Sequence, residues 1–237
     1  MDSPQYITLS RQSGLMREMQ SVANNIANAA TTGFRREGVI FAEHVTRLDH
    51  GPSLSMAHGD ARHIDLAQAP LTATGGTFDF GIEGEGFFLI SPPGGDRLTR
   101  AGSFTPNAEG ELVTPDGHRL LDAGGAPVFV PPDAGRVTLS PDGTLAAGDV
   151  PLAQIGLWTV PDRNTLRHEA GTLFDPGGPV DPLEGGRIRQ GHVEGSNVNP
   201  VSEIARMITV QRAYELGQTF LQREDERIRG VIQTIGR

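Results

Sequence analysis

Small or apolar residues recur at Leu9, Met16, Met19, Ala23, Ile26 and Ala30, with Gln12 filling one place in the series. The spacing alternates three and four, which is a heptad seam, and Leu15, Val22 and Ala29 widen it. Ser3 followed by Pro4 makes a cap and first helical position, and Thr31, Thr32 and Gly33 close the helix. The last segment mirrors the first. Asn199 is a good N-cap, Pro200 a good first position, and Glu203 puts a negative charge in the first turn. From Pro200 to about Ile235 no further proline occurs. Met207, Val210, Tyr214, Leu221, Ile228, Val231 and Ile235 share one series, interrupted by Gly217 and Glu224, and Val201, Ile204 and Ile208 add a second apolar row. At ~1.5 Å per residue this predicts a rod of roughly 54 Å. A helix of that length needs a partner for its seam, because propensity alone contributes little.

Between residues 75 and 190 the pattern changes to period two. Phe78, Phe80 and Ile82 alternate, and Phe87–Ile90, Glu111–Thr114, His118–Asp122, Val128–Val130, Val137–Leu139 and Ala153–Val160 read as short strands. Pro115-Asp116-Gly117, Pro141-Asp142-Gly143 and Asn107-Ala108-Glu109-Gly110 stand between them as turns. Residues 35–74 are poorly patterned and read as an extended, partly irregular connection. The expected fold is α+β. Long N- and C-terminal helices form a coiled-coil-like helical domain (1–34 and 197–237), and 35–74 connects it to a central all-β, sandwich- or barrel-like domain (75–196). The helices are expected to pair with each other and with neighbouring subunits, in a head-to-tail contact that builds a filament or tube.

Composition narrows the chemistry. The 237 residues include no cysteine, which excludes disulfides, a thiol nucleophile and thiolate metal sites. All 20 basic residues are arginine, so phosphate-loop and Schiff-base lysines are absent. A net charge of −9 argues against nucleic acid as a partner. No run of 18 apolar residues exists, so direct membrane insertion is not expected. The N-terminus lacks the apolar centre of a cleaved secretory signal, and any export is expected to use another route.

The candidate reactive groups are few. His58 and His63, with Asp60 and Asp65, suit either a metal site or a solvated Gly-flanked loop. Asp79, Glu83 and Glu85 suit a glycosidase pair or a solvated strand face. Gly81, Gly84 and Gly86 do not complete a dinucleotide fingerprint. Glu224-Asp225-Glu226-Arg227, with Arg223 and Arg229, is a partner-selecting patch or a solvated face. Arg35 and Arg36 either contact a neighbour or keep a loop soluble. A structural subunit therefore stands beside two rivals, a periplasmic carbohydrate-active enzyme on the β domain and a filamentous or trimeric adhesin.

Three blocks of sequence add a resemblance. The first is Val22-Ala23-Asn24-Asn25-Ile26-Ala27-Asn28 with Thr32-Gly33-Phe34-Arg35-Arg36. The second is Gly84-Glu85-Gly86-Phe87-Phe88 with Leu98-Thr99-Arg100-Ala101-Gly102-Ser103-Phe104 and Gly110-Glu111-Leu112-Val113-Thr114. The third is Glu194-Gly195-Ser196-Asn197-Val198-Asn199-Pro200 with Met207-Ile208 and Gln211-Arg212-Ala213-Tyr214-Glu215. Together and in order they resemble the bacterial flagellar rod–hook family. The opening Tyr6–Gln12, Arg17-Glu18-Met19 and the length look most like proximal rod members, with distal rod or hook-type members as the alternative. The resemblance implies a structural, non-enzymatic subunit of the rod that crosses the periplasm and transmits torque for motility. Its terminal helices would form the inner wall of a tube, with the β domain outside. It implies no cofactor, no metal and no catalytic residue. The implied partners are other rod proteins, proximal and distal, met through the terminal helices, and the flagellar type III export apparatus, which passes the chain unfolded.

The assembly interface so implied comprises Leu9, Met16, Met19, Ala23, Asn24, Asn25, Ile26, Asn28, Gly33, Phe34, Asn197, Asn199, Ile204, Met207, Ile208, Gln211, Arg212, Tyr214, Leu221 and Ile228. Asn24, Asn25 and Asn28 offer amides to orphan carbonyls or to a neighbour. Gly33 takes positive φ to stop the helix, and Phe34 anchors the chain beyond it. Asn197 and Asn199 bracket the start of the last helix. Capping and packing within one subunit is the alternative for each.

Overall fold

Ser3–Ala27 forms helix α1 and Pro200–Ile235 forms helix α2. The structure, a computed structural model, describes residues 3–46, 54–169 and 171–235. Strands β1 (Glu37–Thr46) and β2 (Leu54–Ile64) pair with each other as a two-stranded sheet. The chain divides into two compact units. One holds residues up to 27, 37–63 and 198 onward; the other holds 28–36 and 64–197.

The second unit is built from short strands. Its main sheet has seven, in the order Arg167–His168, Leu173–Asp175, β6 (Arg97–Thr99), β5 (Phe88–Ser91), Arg119–Leu120, Leu112–Val113 and Thr105–Pro106. All its pairings are antiparallel. Strand β3 (Leu71–Ala73) pairs with His192–Glu194, and β4 (Phe80–Glu83) with Arg187–Gln190. Val137–Leu139, Thr144–Ala147 and Val150–Gln154 form a three-stranded meander. Its first turn is Pro141-Asp142-Gly143. Gly143 sits at φ 92°, where a Cβ would stand 2.3 Å from the Ile155 carbonyl oxygen, so both conformation and space demand glycine.

The run Phe87–Ile90 explains how this sheet is buried. Successive side chains point to opposite faces. Phe88 and Ile90 join a core with Phe80, Ile82, Phe104, Leu112, Leu120 and Leu145. Phe87 and Leu89 join another with Leu98, Leu121, Leu166 and Phe174. A strand covered on both faces reads as a continuous apolar run rather than an alternation.

The expectation of two long terminal helices forming a coiled-coil-like domain is overturned. The body is mostly β, and α1 is the short helix, with 25 residues against 36 in α2. The buried line of α1 is Gly14, Leu15, Glu18, Val22 and Asn25, while the seam residues Leu9, Met16 and Ala23 are exposed. The seam is rotated from the buried line by about a third of a turn at ~100° per residue. The reason is chemical. Beside Leu15 and Val22, the inner face of α1 carries Gly14, which has no side chain, and Glu18 and Asn25, which make polar contacts. The regular apolar series is therefore left facing outward.

Candidate assembly surface

In the helical unit, polar side chains position both helices. Asn25 is fully buried. Its Nδ2 donates to the Glu37 carbonyl at 2.8 Å and to Glu203 Oε2 at 3.1 Å, and its Oδ1 accepts from the Glu37 N–H at 2.9 Å. One amide thus holds both backbone groups of the first β1 residue as a neighbouring strand would, and reaches α2 as well. Ser21 Oγ donates to the same Glu37 carbonyl at 3.1 Å. Asn199 Oδ1 accepts from the Ser202 N–H at 3.1 Å, an N-cap that starts α2 and presents Glu203 to Asn25. One turn on, Arg206 Nε donates to Glu18 Oε1 at 2.8 Å. Further along, Gln12 lies against Gly217. Thr8, Arg11, Gln12 and Leu15 face Ala213, Leu216, Gly217 and Phe220 across a groove of about 390 Å³. The helices therefore run antiparallel, with residue numbers falling on α1 as they rise on α2.

The β unit has its own polar centre. Glu194 and Arg35 are fully buried and Arg100 nearly so. Arg35 Nη2 lies 2.6 Å from Glu194 Oε1, and Arg100 Nη1 donates to Glu194 Oε2 at 3.1 Å. The Ala69 N–H donates to Oε1 at 2.8 Å, and Arg100 Nη2 donates to the Gly84 carbonyl at 2.9 Å. The Arg100 guanidinium stands 5.3 Å from the centre of the Phe87 ring. Burial pulls the Arg100 pKa down to about 10, with Arg35 adding to the fall and Glu194 opposing it. The Glu194 carbonyl also accepts from the Gly33 N–H at 2.8 Å. At Gly33, φ is 75° and a Cβ would stand 2.2 Å from the Ala101 nitrogen. Beside this centre, Asn197 Oδ1 accepts from the Arg36 N–H at 2.6 Å, and its Nδ2 donates to the carbonyls of Asp65 at 2.8 Å and Ala67 at 3.1 Å. The Asp65 N–H donates to the Arg36 carbonyl at 2.9 Å. Residues 33–36, 65–69, 100 and 194–197 therefore meet in one knot, and the three sequence blocks each supply a member.

Comparison with known proteins agrees with these blocks. The family model described as flagellar basal body rod FlgEFG protein C-terminal matches residues 189–234. The one described as flagellar hook protein FlgE/F/G D1 domain matches residues 81–147. The flagellar basal-body rod protein FlgF of Caulobacter vibrioides is 37% identical over 100% of this chain and 99% of its own length. The FlgF of Mesorhizobium japonicum is 38% identical, with the same coverage. The rod protein FlgG of Agrobacterium fabrum is 31% identical over 88% of this chain and 90% of its own. The chain belongs to the FlgF family of flagellar basal-body rod proteins. Like that family it is a structural component of the basal-body rod and not an enzyme.

The geometry sorts the residues singled out in this FlgF-family sequence. Asn25, Gly33, Phe34 and Asn197 are engaged within their own units, Phe34 being fully buried with its ring 5.2 Å from that of His168. Asn28 accepts from Thr31 Oγ1 at 3.1 Å, and Asn24 is half-buried. Met19 and Ile26 are half-buried on α1; Met207, Tyr214, Leu221 and Ile228 are half-buried on α2. Leu9, Met16, Ala23, Ile204, Ile208, Gln211 and Arg212 are exposed. The Glu194–Arg35–Arg100 centre was not singled out as a site, and only membership of the blocks pointed to it.

The candidate reactive groups do not converge. The side chains of His58 and Asp60 lie outside the described residues. His63 is exposed, and Asp65 Oδ1 accepts from the Ala67 N–H at 3.0 Å. Asp79 accepts from the hydroxyls of Thr74 and Ser103 at 2.6 and 2.9 Å. Glu83 and Glu85 each face an arginine, Arg189 at 3.1 Å and Arg163 at 2.8 Å. Among the described residues no group of three or more His, Asp or Glu is placed to hold a metal, and no helix is long and apolar enough to cross a membrane.

Proposed function

We propose that this chain is a subunit of the proximal part of the flagellar rod, that it joins neighbouring rod subunits through its terminal helices, and that it reaches the rod through the flagellar type III apparatus. The observation that carries the reading is an apolar face on each helix that lies away from the contact between them. On α1 it is Leu9, Met16 and Ala23; on α2 it is Val201, Ile204 and Ile208. Val201 is 77% and Ile204 50% exposed. A helix of a self-contained domain turns its apolar stripe to its own core, whereas one that also carries apolar side chains away from that contact is suited to a second cover.

Magnitudes favour assembly on a template. Each such side chain gains about 1.5–3 kcal/mol when fully covered. Association costs about 4–15 kcal/mol in lost freedom and ordering. One or two side chains cannot bridge that gap, and several from both helices can. The free subunit is then expected to stay monomeric and the growing rod to capture it. Export as an unfolded chain is part of the reading because the family resemblance implies it.

The test is Ile208→Asp, expressed in place of the wild-type gene. The expected result is loss of swimming and of the subunit from purified basal bodies, with helix content and thermal midpoint of the isolated chain unchanged. A fully motile strain with the variant built into its rods would overturn the reading.

A further inference from the structure

Residues 187–197 belong to no strand of the main sheet, yet they hold together parts of the β unit that lie far apart in sequence. Arg187–Gln190 pairs with β4 and His192–Glu194 with β3. The Ile188 N–H donates to the Pro141 carbonyl at 3.0 Å, and Ile188 joins the core around Phe88. The Gln190 side chain works as a short strand. Its Oε1 accepts from the Leu139 N–H at 3.1 Å, and its Nε2 donates to the carbonyls of Val137 at 3.2 Å and Thr77 at 2.8 Å. Glu194 and Asn197 then collect Arg35, Arg36, Asp65, Ala69 and Arg100.

These contacts close long loops. Asn197 and Arg36 are 161 positions apart, Glu194 and Ala69 125, and Glu194 and Arg100 94. Pairing elsewhere in the unit is more local. Five adjacent strands of the main sheet lie within residues 88–120, and the widest pair among them is Ile90 with Leu120, 30 positions apart. The three-stranded meander lies within residues 137–154. Longer loops cost more entropy to close, so the non-local contacts form late. Chemistry adds a second reason. Glu194 is fully buried, and a carboxylate taken out of water without its partners is strongly unfavourable. Those partners come from three separate segments, at Arg35, Ala69 and Arg100, so the carboxylate can be buried only when all three are in place.

We propose that residues 187–197 are a latch that closes last: the local strands of the β unit form first, and this segment then seals β3, β4, the meander and residues 33–36 in one late step. The latch stands on the fold of the β unit alone, apart from the rod-subunit reading. It has two consequences. Interactions absent from the folding transition state slow unfolding without speeding folding, so the stability that the latch supplies goes into the barrier to unfolding. A chain that emerges N-terminus first, as every nascent chain does, keeps its β unit unlatched until residue 197 is free. Completion of the β unit is thereby tied to arrival of the segment that precedes α2, whose N-cap Asn199 follows Asn197 by two positions.

Stopped-flow unfolding and refolding of the full-length chain in urea, followed by the fluorescence of Trp158, tests this. Refolding is started from briefly unfolded chain, before prolyl bonds isomerise. Asn197→Ala, and the milder Gln190→Ala, are expected to unfold about 5- to 100-fold faster than wild type and to refold within about 2-fold of it. Leu120→Ala, and the milder Ile90→Val, lie in the local part of the sheet. They are expected to divide the other way, with half or more of their loss in the refolding rate. Latch variants that carry half or more of their loss in slower refolding would overturn the proposal, because the latch would then belong to the folding nucleus. Latch and sheet variants that divide their losses alike would overturn it too.

Discussion

The two units treat polar and apolar groups in opposite ways. The β unit buries a carboxylate and two guanidinium groups and covers a central strand on both faces. Each side of its main sheet is closed by its own chain. Among its described residues the helical unit buries Gly14, Leu15, Glu18, Val22, Asn25, Glu37, Val198, Glu203 and Val210, and turns Leu9, Met16, Val201, Ile204 and Ile208 to the outside. The first is finished as a folded object; on the reading proposed above, the second is completed by neighbouring subunits. Substitutions in the β unit should accordingly show in stability, and those on the outer helix faces in assembly.

The largest stability effect is expected from Glu194→Gln. It keeps the shape but leaves two buried guanidinium groups without their carboxylate, a loss of about 3–5 kcal/mol. Trp158, the single tryptophan, lies in the β unit, so its fluorescence follows that unit's unfolding directly. An unchanged fluorescence midpoint would break the comparison at its strongest point. Gly33→Ala comes next, at about 1–3 kcal/mol for the positive φ with the Ala101 backbone clash in addition, read by the same fluorescence. Asn25→Ala removes the amide that holds Glu37 and Glu203 and should cost about 1–3 kcal/mol, seen as an earlier loss of helical circular dichroism while Trp158 fluorescence holds. Ile208→Asp sharpens the contrast from the other side, with a stability change within about 0.5 kcal/mol although assembly fails.

The smallest effect concerns pH. Asp142 accepts from the Thr144 N–H and hydroxyl, which hold its carboxyl below the ordinary aspartate value. A depressed folded-state pKa means that its help to the turn is present above the ordinary value and is lost as pH falls through the depressed one. The Asp142 carboxyl carbon and the Thr144 amide should titrate together by NMR. Independent titration of the two would refute the assignment.

Much of this was legible along the chain, for reasons that differ by element. The Asn199-Pro200 start of α2 and the Pro141-Asp142-Gly143 turn depend on neighbours in sequence, and local chemistry is enough to read them. The face of α1 was misread because periodicity marks where apolar residues are, and here the buried line is polar or small at Gly14, Glu18 and Asn25. Arg35 and Glu194 were unreadable as a buried pair, since a charge is by default solvated and its partner lies far off along the chain. Asn197 stood out by its block, yet its bonds to Arg36, Asp65 and Ala67 depend on three segments converging.

That convergence has a mechanical consequence. The chain crosses the boundary of the β unit four times, after residues 27, 36, 63 and 197, and Asn197 with the Arg36–Asp65 bond gathers the last three of these into one place inside that unit. Any load that enters the β unit through residues 36, 64 or 197 therefore meets first a short cluster of hydrogen bonds beside the buried Glu194–Arg35–Arg100 centre.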